Sequence, residues 1–326
     1  MPNITRDQVR VPADVPAESR ETYIDSYMAA TRGSGRLMLF ACDQKIEHMN
    51  DDFFGEGIAA DDANPEHLFR IGSQGVCGVL AGQRGLIARY AADYPDINYL
   101  VKMNSKTHLV KTKQDDPYSP QLYDITAVLD MRDNGVNVVA IGYTVYAASE
   151  YESSMMTEAG QLIADAHAAG LVVVLWMYPR GKAVENEKDP HLIAGAAGIG
   201  HCLGADFVKV NPPKGTDEKS SAELLTEASM AAGCLEIGGT PGVAGFKGTG
   251  LVCAGGSTVD AGTFLSQLWQ QIHVGGAVGN ATGRNIHQRP LDEAVRLTKA
   301  ISAITLGDYD ADRALKVFEG AEDFTV

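Results

Sequence analysis

The chain has 326 residues, 45% of them hydrophobic and 21% charged, which is enough apolar matter for one large core or two small ones. Its 27 basic residues against 42 acidic ones give a net charge of −15, which disfavours nucleic acid as a partner and requires local cations wherever a small anion binds. No apolar run approaches the roughly 20 residues of a membrane span, and the N-terminus MPNITRDQVRVPADVPAESR lacks the basic-then-apolar order of a secretory signal, so a cytoplasmic protein without membrane contact is expected.

Residues 1–36 precede the first strand-like run and read as an N-terminal extension that packs on the main domain or on a neighbour. Glycines then punctuate eight short runs: LMLFACDQ from Leu37, GVCGVLAG from Gly75, YLVKMNS from Tyr99, VNVVAIGY from Val136, LVVVLWMYPRG from Leu171, FVKVN from Phe207, LVCAGGS from Leu251 and AVGNATGRN from Ala277. Helical patterns lie between them at Gln121–Asn134, Ser153–Ala169, Asp189–Leu203, Ser221–Ala232, Ala261–His273 and Leu291–Ile304, whereas Ile237–Gly250, IGGTPGVAGFKGTG, reads as a loop. Most strand runs do not alternate, as expected of parallel strands covered by helices. An α/β fold follows, with a single (β/α)8 TIM barrel over 37–326 favoured over a doubly wound sheet. The five cysteines, Cys42, Cys77, Cys202, Cys234 and Cys253, are scattered without a C-x-x-C pair and read as reduced thiols.

A barrel of this kind carries its chemistry at the C-terminal ends of its strands. There the sequence places Asp43, Gln44 and Lys45 after strand one, Lys102 and Asn104 on strand three, Trp176, Tyr178 and Arg180 on strand five, and Lys209 and Asn211 on strand six. Strands seven and eight end in Gly255-Gly256-Ser257 and Gly283-Arg284-Asn285. Unobstructed backbone N–H groups and the Arg284 guanidinium suit a phosphate, and the bland alternative is a pair of tight turns.

Lys209 lies between valines in a run that should be buried, so its amine is expected to be partly neutral and nucleophilic, able to form a Schiff base with a carbonyl. A structural lysine paired with Asp206 is the competing reading. Tyr178 is suited to proton transfer, Trp176 shares its face of the strand, and Asp43 is suited to holding a hydroxyl or neutralising Lys45 or Lys102. Lys102, across the barrel from strand six, either lowers the Lys209 pKa, contacts the substrate, or pairs with Asp43.

The ordered set of Asp43, W-x-Y at Trp176 and Tyr178, G-A-D-x-V-K ending at Lys209, then G-G-S and G-R-N, resembles the archaeal-type class I fructose-bisphosphate aldolases, DhnA-like relatives of the deoxyribose-phosphate aldolases. The resemblance runs from about Leu37 to Ile304. It implies a (β/α)8 barrel, a Schiff-base lysine at Lys209, an acid/base tyrosine at Tyr178, support from Trp176 and Asp43, and a phosphate site built from Gly255, Gly256, Ser257, Gly283 and Arg284. Two departures stand out: DQKIEH replaces the usual D-H-G pattern after strand one, and Ala254 replaces a serine before the glycine pair. A second phosphate is then assigned to Lys45, His48 and Arg180.

The expected activity is reversible cleavage of fructose 1,6-bisphosphate to dihydroxyacetone phosphate and glyceraldehyde 3-phosphate. No cofactor is expected beyond the covalent lysine, and no metal, since the eight histidines show no H-x-H or H-E-x-x-H cluster. The alternatives are a transaldolase-like Schiff-base synthase joining another sugar phosphate to a partner such as aspartate semialdehyde, and a barrel that only binds a phosphometabolite. The resemblance also implies a homo-oligomer, with a ring-based decamer as one form.

Overall fold

The computed structural model describes residues 3–48, 50–110, 114–235 and 247–326. Among them, eight parallel strands close into a barrel in sequence order, with β8 returning to β1 through the register Leu37 to Gly279 and Phe40 to Thr282. In chain order the elements are α1 (Arg20–Thr31), β1 (Leu37–Ala41), α2 (Gln44–Glu47), α3 (Glu66–Gln74), β2 (Val79–Gln83), α4 (Arg84–Tyr90), β3 (Tyr99–Lys102) and α5 (Thr126–Asp133). They continue with β4 (Val138–Ala147), α6 (Glu152–Ala168), β5 (Val172–Pro179), α7 (Pro190–Leu203), β6 (Phe207–Val210), α8 (Ser221–Ala231), β7 (Gly250–Ala254), α9 (Ala261–His273), β8 (Gly279–Thr282), α10 (Arg284–His287), α11 (Leu291–Thr305) and α12 (Ala311–Phe318). Among the described residues, no helix is long and apolar enough to cross a membrane.

The helix limits follow local chemistry. Asp189 caps α7, its carboxylate accepting from the N–H groups of His191 and Leu192, with Pro190 at the first helical position. Ser220 and Glu223 close a capping box at the start of α8. The α5 helix begins later than its apolar pattern suggests, because Gln121 follows Pro120, pairs with Asn104 in an isolated bridge and gives its N–H to Glu158. Of the Ile237–Gly250 stretch, 237–246 lies outside the described residues. The remainder enters β7 after Thr249 donates its N–H to the Ala232 carbonyl.

The α1 helix crosses the N-terminal end of the barrel. Tyr27 stacks on Phe207 at 5.8 Å, and the Tyr23 hydroxyl donates to Asp206 at 2.5 Å. Asp206 also accepts the Val173 N–H at 2.7 Å and sits 3.3 Å from His167, whose other ring nitrogen meets Asp14 at 2.8 Å. Asp206 is therefore committed at the closed end of β6, away from Lys209. The reading of these two residues as an ion pair is corrected by the length of the strand.

Candidate active site

A cavity of about 340 Å³ opens at the C-terminal ends of the strands, and Asp43, Trp176, Tyr178, Lys209 and the turns after β7 and β8 all face it. A smaller cavity, about 170 Å³, lies at the opposite end beside Tyr23 and Tyr27.

Lys209 is 5% exposed, and its ammonium lies 5.0 Å from the centroid of the Trp176 ring. Among the described residues it has neither a hydrogen bond nor an ion pair. Burial pushes its pKa below the usual lysine value; Lys102 and Arg284 push the same way, against Asp43 and Glu47. The valines are not the cause of this desolvation. Val208 packs outward against Gly200 of α7, as strand alternation requires, while Lys209 points inward.

Beneath the cavity floor lies Lys102, fully buried, 2.6 Å from Glu47 and 3.5 Å from Asp43, with its ammonium 4.9 Å from the Trp176 ring centroid. Burial alone would lower its pKa, but the two carboxylates overcome that and hold it above the usual value. Lys102 does not line the cavity wall; it pairs with Glu47 and Asp43, and its charge pushes the Lys209 pKa down. Trp176 reaches over this floor because β4 offers Gly142 there; a Cβ at that position would stand 2.3 Å from the indole. Tyr178 is held well above the usual phenol pKa by burial and by the Asp43 and Glu47 carboxylates, which favour its neutral form.

The β7 and β8 turns lean on each other. Asn285 donates to the carbonyls of Gly255 and Ser257 and accepts the Val259 N–H, which latches the first turn to the second. Gly255 gives its own N–H to Ala281, so its part is close packing, since a Cβ there would meet Thr282 at 2.9 Å. The N–H groups of Gly256, Ser257 and Gly283 have no acceptor among the described residues. Gly256 adopts φ +68, which favours glycine, and a Cβ on Gly283 would stand 2.2 Å from the Gln44 amide. Arg284 lines the same corner. Among the described residues, Trp176 Nε1 and Gln44 Oε1 are buried without a hydrogen-bond partner, and both side chains face the cavity, leaving a donor and an acceptor for a polyhydroxylated ligand.

On the far rim the structure brings His48 and Arg180 to the cavity but not Lys45. Lys45 points away from the cavity, its ammonium 4.0 Å from the Phe53 ring centroid and 3.4 Å from the Asp62 and Ala63 carbonyls. His48 reaches the cavity but is bound to Asp52, and Arg180 reaches it while forked onto Glu187 at 2.8 and 2.9 Å. Lys106 and His108, from the loop after β3, join Arg180 on this wall. Burial lowers the Lys106 ammonium to about 8, with the Arg180 charge adding to the effect. Positive charge is thus gathered here despite the acidity of the chain.

This constellation can be set against known proteins. The family model of the DeoC/LacD family aldolases matches residues 37–289. The chain belongs to that family. A solved structure, the fructose-bisphosphate aldolase from Slackia heliotrinireducens, is 71% identical and superimposes with a TM-score of 0.93, covering 100% of this chain and 98% of that one. The fructose-bisphosphate aldolase/6-deoxy-5-ketofructose 1-phosphate synthase of Methanocaldococcus jannaschii is 52% identical over 97% of this chain and 96% of its own length. An archaeal fructose-1,6-bisphosphate aldolase, solved with its catalytic lysine covalently bound to the carbinolamine intermediate, is 26% identical with a TM-score of 0.70 over 87% of this chain and 99% of that one.

In this aldolase, several groups on the cavity wall escaped the sequence reading, among them Glu47, Lys106, His108, Tyr146, Glu187 and Lys188. Tyr146 lies beyond the point where β4 appeared to end at Tyr143; the strand continues to Ala147, and alternation brings Gly142, Thr144 and Tyr146 to one face. Glu47 follows Asp43 by four residues, the helical spacing that marks one face, but the strand-like run LMLFACDQ conceals the start of that short helix. Lys106 and His108 sit on an irregular loop and offered no periodic signal.

Proposed function

We propose that this chain is a Schiff-base aldolase that reversibly cleaves fructose 1,6-bisphosphate to dihydroxyacetone phosphate and glyceraldehyde 3-phosphate. The observation that carries the reading is Lys209: a buried amine at the floor of a cavity, with a lowered pKa and no hydrogen bond or ion pair among the described residues. Its lone pair attacks the substrate ketone to form a carbinolamine. Tyr178 donates its phenolic proton to the carbinolamine hydroxyl, water leaves, and a protonated iminium remains. The Tyr178 phenolate then takes the proton of the C4 hydroxyl. The C3–C4 bond breaks, its electron pair flows into the iminium, and glyceraldehyde 3-phosphate departs. The resulting enamine takes the proton back at C3, and water releases dihydroxyacetone phosphate and regenerates Lys209.

Asp43 orients substrate hydroxyls, and the Trp176 N–H donates to one of them. Gly256, Ser257, Gly283 and Arg284 hold the phosphate nearest the ketone, with Gly255 setting the shape of their turn. Lys106, His108 and Arg180 take the second phosphate in place of Lys45; β3, which the Lys106 loop follows, lies across the barrel from β7, as the ends of an extended bisphosphate require. A second reading keeps the same lysine chemistry and changes the acceptor, as the double name of the 52% identical relative suggests. Cleavage of fructose 1,6-bisphosphate by the purified chain in the presence of a chelator, abolished in Lys209→Met, tests the proposal. Turnover only with other sugar phosphates would move it to the second reading.

A further inference from the structure

Asp43 is the N-cap of α2 and Glu47 its last residue, so two carboxylates leave one side of a single helical turn. The Lys102 ammonium lies between them. Its short contact, 2.6 Å, goes to Glu47, and Asp43 stands off at 3.5 Å. Asp43 thereby keeps acceptor capacity toward the cavity. Lys102 and Lys209 both stand against the Trp176 ring, so the charge of the Lys102 pair is felt at the reacting amine.

Charge balance gives this arrangement a direction. Arg284 is offset by Asp52, 3.8 Å away; at the floor itself, with Lys209 as a neutral amine, the two carboxylates exceed the single Lys102 cation, and with Lys209 as a protonated iminium positive and negative charges match. Resting on the Schiff-base reading, we propose that Glu47 is a positioning residue for that chemistry: it draws Lys102 off Asp43 and supplies the second carboxylate that balances the iminium at Lys209. The alternative is a carboxylate that only neutralises Lys102 so that the floor can fold.

The charged groups acting on Lys209 are Asp43 from the end of β1, Glu47 from α2, Lys102 from β3 and Arg284 from α10, with the neutral phenol of Tyr178 beside them in the cavity. Glu47 raises the Lys209 pKa and Lys102 lowers it, so removing each charge must move the lysine in opposite directions.

Competitive labelling of the free protein with acetic anhydride across pH, read by mass spectrometry on the Lys209 peptide, measures this without substrate. The Lys209 midpoint is expected to fall by about one pH unit in Glu47→Gln, to rise by about one in Lys102→Met, and to return toward wild type when the two are combined. The double variant removes both charges together and keeps the floor neutral if either single variant folds poorly. The kcat of Glu47→Gln should also fall tenfold or more with little change in KM. A Glu47→Gln midpoint that stays put or rises, or a double variant that does not return, would overturn the proposal. Because labelling needs no turnover, failure here is distinct from failure of the aldolase reading, which would appear as an absent covalent adduct.

Discussion

Lys102 and Lys209 stand at nearly the same distance, 4.9 and 5.0 Å, from the ring of one indole, Trp176. The indole excludes water from both amines, and desolvation is the largest cause of the lowered Lys209 pKa. A smaller ring admits water, relieves the penalty on the charged amine and raises its pKa. In Trp176→Phe the acid limb of kcat/KM is therefore expected to move to higher pH by roughly half to one unit, measured over a full pH–rate profile. An unmoved limb would show that the indole does not control the lysine.

In the proposed cycle Tyr178 enters as a neutral acid and leaves as one. Replacing it with Phe removes the proton carrier but not the nucleophile. Steady-state cleavage by Tyr178→Phe should show kcat reduced by about 10²- to 10⁴-fold with KM little altered. A variant within threefold of wild type would take Tyr178 out of the mechanism.

The far wall predicts selectivity between substrates. Lys106 and Arg180 would face the second phosphate, and charge-assisted contacts of this kind are worth about 1.5–3 kcal/mol. Lys106→Met should lower kcat/KM for fructose 1,6-bisphosphate by roughly tenfold to a hundredfold. For fructose 1-phosphate, which lacks that group, the change should stay below about threefold. Equal losses on both substrates would remove Lys106 from phosphate recognition.

At the closed end of the barrel, His167 is buried between Asp206 and Asp14. Burial lowers its pKa, but the two carboxylates outweigh it and raise the ring to about 9 from an ordinary 6.5. A folded-state pKa above the unfolded one stabilises fully below pH 6.5, and that contribution is lost as pH rises through about 9. The difference corresponds to roughly 3 kcal/mol. His167→Gln should lower the melting temperature at pH 6 and flatten its dependence between pH 6.5 and 9; thermal melts across that range read both.

Much of this architecture is legible in the chain because buried parallel strands and capped helices leave local marks. Ala261–His273 coincides with α9, and the Leu291 and Ser221 starts agree with α11 and α8, since Asp260, Pro290 and Ser220 mark their boundaries. The start of α5 was less legible, because Gln121 takes part in a long-range pairing that no propensity encodes. Residues pointing up from strands, such as Trp176 and Lys209, could be found by alternation. The Lys106 wall could not be, because its members converge only when the loop after β3 meets the end of β5. Lys45 misled for a related reason: the turn of α2 carries it to Phe53 rather than to the cavity.

A Schiff base at Lys209 can be captured by reductive trapping. Incubation with dihydroxyacetone phosphate and borohydride, followed by proteolysis and mass spectrometry, should add the reduced triose phosphate to the peptide containing Lys209, and Lys209→Met should abolish the adduct. A folded wild-type protein that takes up no label, or takes it up on another lysine, would rule out Lys209 as the nucleophile.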